Sequence, residues 1–246
     1  MQDNSILVSL SRQVALRRQL DVIANNLANL ETSGFKSSES LFEEYLMPKA
    51  EASDALPGDE DISFVIDTGT VQDFSPGPMR QTGNPLDVAI DGDGWFVVQT
   101  PDGERYTRNG GFLLDRDGTL VTPEGFRVMG DGGAITFDER DTSISIGTDG
   151  TISTDAGEKG RLRIAVFDDN DLLEPEGSST FSAPVQPTVA ANPRVHQGMV
   201  EGSNVKPVVE ITRMIEVTRA YTSLSSMLER IDDMRRNAIG VLAVIQ

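Results

Sequence analysis

The sequence contains no cysteine, a single histidine (His196), one tryptophan and three tyrosines in 246 residues. Without thiols it has neither a disulfide framework nor a thiolate metal site. One histidine leaves no histidine metal cluster and no serine–histidine triad with a second general base. Basic residues are also scarce, 21 Lys and Arg against 39 Asp and Glu. The concentrated basic face that nucleic acid requires is missing, so no nucleic-acid partner is expected. Long apolar runs are absent too. The longest, Ala238 to Ile245, has eight residues including Gly240, whereas a spanning helix needs ~20, so no transmembrane segment is expected. Near the start, Asp3 precedes a short apolar stretch (Ile6 to Leu10) that Ser11 and Arg12 interrupt, which is not the pattern of a cleaved secretory signal.

The net charge of −18 is unevenly spread. Residues 1–36 and 204–246 each carry +1, which leaves −20 on the stretch between them. Near-neutral ends that pack, around an acidic centre that stays solvated, follow from this distribution. The length allows one or two domains with a real core.

What the chain does have is apolar periodicity at both extremities. From Met214 the large apolar residues step by three and four: Met214, Val217, Tyr221, Leu224, Leu228, Ile231, then Ala238, Leu242 and Ile245, with Arg235 the only charge on the series. A repeat averaging 3.5 is the signature of a helix packed along others in a left-handed supercoil. A second stripe, Ala220, Met227, Met234 and Val241, runs beside it. Two stripes are wider than a two-stranded coil needs, so this helix is expected to touch several neighbours. Arg235 is either a defect at a fraying end or a charge paired across a subunit contact. Near the N-terminus, Asp3, Asn4 and Ser5 are helix-capping types, and Leu16, Leu20, Ile23, Leu27 and Leu30 step by four and three. This helix is expected to stop near Thr32-Ser33-Gly34, with Gly34 able to take the left-handed C-terminal conformation. Asparagine is a poor helix residue, and Asn26 borders the seam, where its amide can fix register as a buried asparagine does.

Between the helices the pattern changes to strands. Leu86, Val88 and Ile90 alternate with Asp87 and Ala89, and apolar runs such as Trp95–Val98 alternate with glycine turns at Asp102-Gly103, Asn109-Gly110 and Asp117-Gly118. Pro48 to Asp61 reads as an exposed loop, and Ala183–Pro193 as a surface crossing. The fold class expected is therefore α+β. Long N- and C-terminal helices pair in a coiled-coil-like bundle and flank a central, mostly antiparallel β-domain. The expected divisions are 1–36 and 203–246 as helical assembly segments that pack together, 37–75 as a linker or extended region, and 76–202 as the β-domain.

Motifs for catalysis are weak. Asp91-Gly92-Asp93-Gly94 and Asp115-Arg116-Asp117-Gly118 lack the further ligands and closing glutamate of a calcium loop, and hairpin turns account for them better. Acidic pairs such as Glu43-Glu44 and Asp168-Asp169 fall on neighbouring positions that point apart. No catalytic, cofactor-binding or metal-ligating residue is assigned.

Asp21-Val22-Ile23-Ala24-Asn25-Asn26-Leu27-Ala28-Asn29-Leu30, with Thr32, Gly34, Phe35 and Lys36 after it, closely resembles the N-terminal signature of bacterial flagellar rod and hook proteins. Gln197-Gly198, Glu201, Ser203-Asn204-Val205, Glu210, Met214-Ile215 and Arg219-Ala220-Tyr221 resemble the family's C-terminal signature. Asn84 to Gly94 and Tyr106 to Phe112 are similar to its core strands. The opening Leu10-Ser11-Arg12-Gln13, the Lys206-Pro207 pair and the short length look most like the proximal-rod members. Against this, Thr218 precedes Arg219 where hook and distal-rod relatives often have glutamine, and Thr222 follows Tyr221 where an acid is common. The resemblance implies a structural subunit of the basal-body rod, exported by the flagellum's own secretion apparatus without a cleaved signal and located across the periplasm. It implies other rod subunits and further copies of itself as partners in a helical polymer, with no cofactor. The assembly interface expected is Leu16, Leu20, Ile23, Asn26, Leu27, Leu30, Met214, Val217, Tyr221, Leu224, Leu228, Ile231 and Leu242. Alternatives are a distal rod protein of the same family, a soluble ligand-binding β-domain braced by its helices, and an acid-dependent hydrolase.

Overall fold

A computed structural model describes the backbone of residues 2–47, 62–138, 140–177 and 179–244, and side chains within 8–42 and 69–237. The protein is α+β and divides into two compact units. The terminal unit comprises residues 1–28, 38–71 and 206–246, and the β-unit comprises 29–37 and 72–205.

The terminal unit holds α1 (Gln2–Ala28), β1 (Ser38–Met47), β2 (Ile62–Gln72) and α2 (Pro207–Val244). The helix expected from the leucine spacing ends at Ala28, and a turn in which the Thr32 N–H reaches the Asn29 carbonyl carries the chain on to Gly34. Gly34 has φ +68, the left-handed conformation expected of it. Proline opens α2 at its first position, where the missing N–H costs nothing, and Glu210 sits in the first turn, where the helix dipole favours an acid. At 38 residues α2 is about 57 Å long. The two helices lie side by side and antiparallel: the Gln13 amide reaches Tyr221 and Ser225, each at 3.3 Å, while Asn26 reaches Glu210 at 3.4 Å. Strands β1 and β2 form a two-stranded sheet. The loop expected over Pro48 to Asp61 lies outside the described residues.

Among its described residues the β-unit contains seventeen short strands. In order they are β3 (Met79–Gln81), β4 (Val88–Ile90), β5 (Trp95–Thr100), β6 (Gly103–Thr107), β7 (Leu113–Leu114), β8 (Leu120–Val121), β9 (Arg127–Gly130) and β10 (Gly133–Ala134). There follow β11 (Ser145–Ile146), β12 (Thr151–Thr154), β13 (Gly157–Arg161), β14 (Ile164–Val166), β15 (Glu174–Gly177), β16 (Thr180–Ser182), β17 (Thr188–Val189), β18 (Val195–Gln197) and β19 (Met199–Glu201). The main path of the ten-stranded sheet runs β15-β16-β6-β5-β9-β8-β7, with β11-β12-β13 as a separate three-stranded sheet. Pairing is antiparallel throughout the unit's main sheet, as in the β5–β6 hairpin where Val97 faces Tyr106. The last two strands return to the first two, β18 on β4 and β19 on β3, which brings the two ends of the unit together.

Strand β5 shows why the apolar run Trp95–Val98 is continuous. Phe96 and Val98 enter a core with Phe112, Val128, Ile152 and Ile164, whereas Trp95 and Val97 enter a second with Tyr106 and Phe181 on the other face. A strand covered on both faces has no reason to alternate. Trp95, Phe74 and Phe181 meet edge to face with centroids 5.1–5.6 Å apart, the arrangement that the ring quadrupole favours.

Asp117-Gly118 is a turn with positive φ at glycine, as its residue types predict, and Asp149-Gly150 is another. Asn109-Gly110-Gly111 differs. Neither glycine there has a positive φ. A Cβ on Gly110 would sit 1.7 Å from the Val88 carbonyl oxygen. Here glycine serves a close backbone approach rather than a hairpin turn.

Candidate functional site

The residues expected on the helical seam fall into three groups. Ile23, Asn26 and Val217 are buried. Leu16, Leu20, Leu27, Met214, Tyr221, Leu224, Leu228 and Ile231 are half-buried. Leu30 lies beyond the end of α1, within the β-unit, and the side chain of Leu242 is outside those described. Full burial of a large apolar side chain contributes ~1.5–3 kcal/mol, and half-burial roughly half of that. The helix pair alone therefore realises only part of what its seam offers. On the second stripe of α2, Met227 is 55% and Met234 63% exposed, Ala220 is half-buried, and the side chain of Val241 is outside those described. Val14 on α1 and Val208 and Ile215 on α2 are exposed as well. Farther along α2, Leu228 and Ile231 line an open hollow of about 330 Å³ with Asp232 and Arg235.

Asn26 is the polar centre of the terminal unit. Its Oδ1 accepts the Ser38 N–H at 3.0 Å and its Nδ2 donates to the Ser38 carbonyl at 2.9 Å, so one amide satisfies both backbone groups at the start of β1. The same Nδ2 reaches the Glu210 carboxylate only at 3.4 Å. The sequence suggests a contact between helices, but the stronger bonds tie α1 to β1. Arg213 then donates to Glu39 at 2.9 Å and to Glu210 at 3.3 Å. A polar hollow of about 210 Å³ is bounded by these groups, Gln19 and Ser40.

The β-unit has its own polar centre, which periodicity does not reveal. Lys36, Arg108 and Glu201 are all buried. Lys36 Nζ donates to Glu201 Oε1 at 2.7 Å and to the Ser75 carbonyl at 2.8 Å. Glu201 Oε1 also accepts the Gly77 N–H at 2.9 Å, and its Oε2 accepts from Arg108 Nη1 at 3.3 Å. Arg108 Nη2 donates to the Gly92 carbonyl at 2.9 Å, and the guanidinium lies 5.3 Å over the Trp95 ring. Burial holds both the Lys36 ammonium and the Arg108 guanidinium below their ordinary pKa values, against the attraction of Glu201. Gly34 rests on the same backbone: a Cβ there would meet Arg108 C and Asn109 N at 2.3 Å. Residues from the start, middle and end of the chain thus form one buried ion cluster. Its chemistry is cohesive, because every charge is spent on another segment of the same chain.

The remaining candidates are spread apart. His196 is 44% exposed on β18, with Nε2 3.7 Å from Asp91 Oδ2. Asp169 accepts the Asp171 N–H and caps a short 3-10 turn. The side chains of Glu43 and Glu44 are outside those described. Asp155 binds the backbone and hydroxyl of Thr142, at 3.1 and 2.8 Å, and Asp141 binds Lys159 and Thr154, both at 2.7 Å. These acids brace turns of the acidic surface.

Buried charge knots the two ends of the β-unit together, and the helices bear exposed apolar surface, an arrangement suited to cohesion and contact. Family comparisons give the particular case. Residues 6–36 match the family described as flagella basal body rod protein, 89–154 the flagellar hook protein FlgE/F/G D1 domain, and 196–241 the flagellar basal body rod FlgEFG protein C-terminal region. The chain is 40% identical over 246 residues to the flagellar basal-body rod protein FlgF of Caulobacter vibrioides, covering 99% of both. It is 35% identical to FlgF of Mesorhizobium japonicum, covering 98% of both. With FlgG of Bacillus subtilis it shares 34% identity over 96% of this chain and 98% of that one. The chain belongs to the flagellar basal-body rod protein family.

Proposed function

We propose that the chain is a structural subunit of the proximal part of the basal-body rod, polymerising head to tail through its terminal helices. The full-length similarity to FlgF, including both termini in order, carries this reading. The helices support it physically. Met227, Met234, Val208 and Ile215 hold apolar surface out to solvent in the single chain, and a heterologous contact that does not close into a ring produces an open helical filament. Wound against neighbouring copies, the α2 seam and its second stripe would both be filled, and the helices would then take up the supercoil that the 3.5-residue repeat favours. The partners are other rod subunits, further copies of itself and the flagellar export apparatus, and the site of action is the basal body across the periplasm. Its acidic centre, at −20, keeps the unassembled chain soluble. Catalysis has no part in this function.

The 34% identity to FlgG makes the distal rod the second reading. Complementation separates the two. The gene is expected to restore motility to a strain lacking FlgF and not to one lacking FlgG; the reverse result moves the subunit to the distal rod, and rescue of neither removes it from the rod.

A further inference from the structure

The chain crosses between its two units near residues 28, 37, 71 and 205. Three of these four crossings converge on one side chain, Asn204. Its Oδ1 accepts the Ser37 N–H at 2.8 Å. Its Nδ2 donates to the Asp73 carbonyl at 2.7 Å and to the Ser75 carbonyl at 3.3 Å. Its own N–H reaches the Phe35 carbonyl at 3.4 Å, and the Asp73 N–H closes the ring on the Ser37 carbonyl at 2.8 Å. These partners lie 167 and 131 residues away in sequence, and all belong to the β-unit.

We propose that Asn204 is a collar that gathers three linkers where they enter the β-unit, so that unravelling of the terminal unit stops at one level on all three. A carboxamide carries an acceptor and a donor on one carbon, so it can serve two backbone segments at once. Lys36 reinforces the collar from below, because its ammonium binds the same Ser75 carbonyl. A backbone carbonyl left without its partner in this setting favours opening. The collar therefore couples segments that share no contiguous sequence. This inference concerns folding within one chain and stands whether or not the chain is a rod subunit.

Residue-resolved hydrogen exchange on the full-length chain tests it with two variants. Asn204→Leu keeps the bulk and loses every side-chain bond. The Ser37 and Asp73 amides are expected to exchange about tenfold faster in it, with Val98 and Ile152 in the strands of the core unchanged. Asn204→Asp retains the acceptor and loses the donor, so Asp73 is expected to loosen while Ser37 stays protected. A change confined to residues 203–205 would reduce Asn204 to a local turn former and overturn the collar. An equal rise at Val98 and Ile152 would make it a general stabiliser and overturn it as well. Should Asn204→Leu fail to fold, Asn204→Asp decides: loosening at both Asp73 and Ser37, or at neither, overturns the proposal.

Discussion

Among single residues, Glu201 bears the heaviest duty. It is the anion between two buried cations. Removing one partner of a buried pair typically costs ~3–5 kcal/mol, because the other charge stays behind unpaired. Glu201→Gln is expected to lower the stability of the β-unit by about that much, read as a shift of the denaturation midpoint at constant slope. Lys36→Met leaves Glu201 paired with Arg108 and is expected to cost less. Hydrogen bonds from Thr142 hold the Asp155 carboxyl below its ordinary value of 3.8. A depressed folded pKa contributes stability above 3.8 that is lost as pH falls through the folded value. Asp155→Asn is accordingly expected to melt earlier than the unaltered chain at pH 5, a difference that thermal melts should show shrinking below pH 3.8. A difference that persists unchanged in acid would remove Asp155 as its source.

Among elements, the two helices separate what stabilises the chain from what joins it to others. Leu228 lies on the half-buried seam, whereas Met227 is 55% exposed one position earlier. Leu228→Asp is expected to loosen the helix pair, abolish motility and leave the β-unit folded, as is Leu27→Asp. Met227→Asp touches little within the chain, so its stability is expected to change by no more than ~0.5 kcal/mol. Motility should nevertheless fall if the second stripe meets a neighbouring subunit. A fully motile Met227→Asp strain would confine the interface to the seam, and a motile Leu228→Asp strain would remove the seam from it. These outcomes are read together on swimming plates and by circular dichroism of the purified chains.

For the whole molecule, the boundary between the units makes a definite proteolysis pattern. Limited digestion of the free chain is expected to trim the ends to about residues 29 and 205, judged from the unit boundaries. The surviving core should contain residues 29–37 together with 72–205, held by the Lys36–Glu201–Arg108 cluster even when the connection between them is cut. Fragment masses check this directly. If α1 and α2 resist as well as the β-strands do, the helices already form a finished fold, and the ligand-binding alternative regains its standing.

Period and punctuation in the sequence determined both helices, the run of antiparallel strands and the left-handed turn at Gly34, because helix and strand patterns are local and repeat within a few residues. Signature residues at both ends and the centre determined the family. Only the tertiary structure decided what Lys36, Arg108, Asn204 and Glu201 do. They carry no period, and the pairs Arg108–Glu201, Lys36–Glu201 and Asn204–Ser37 span 93, 165 and 167 residues. It also decided that Asn26 serves the backbone of Ser38 more than the opposite helix, and that Gly110 answers to the Val88 carbonyl rather than to a turn. Such roles depend on which distant backbone arrives beside a residue, and that is settled by how each unit closes upon itself, as where β18 and β19 return to β4 and β3.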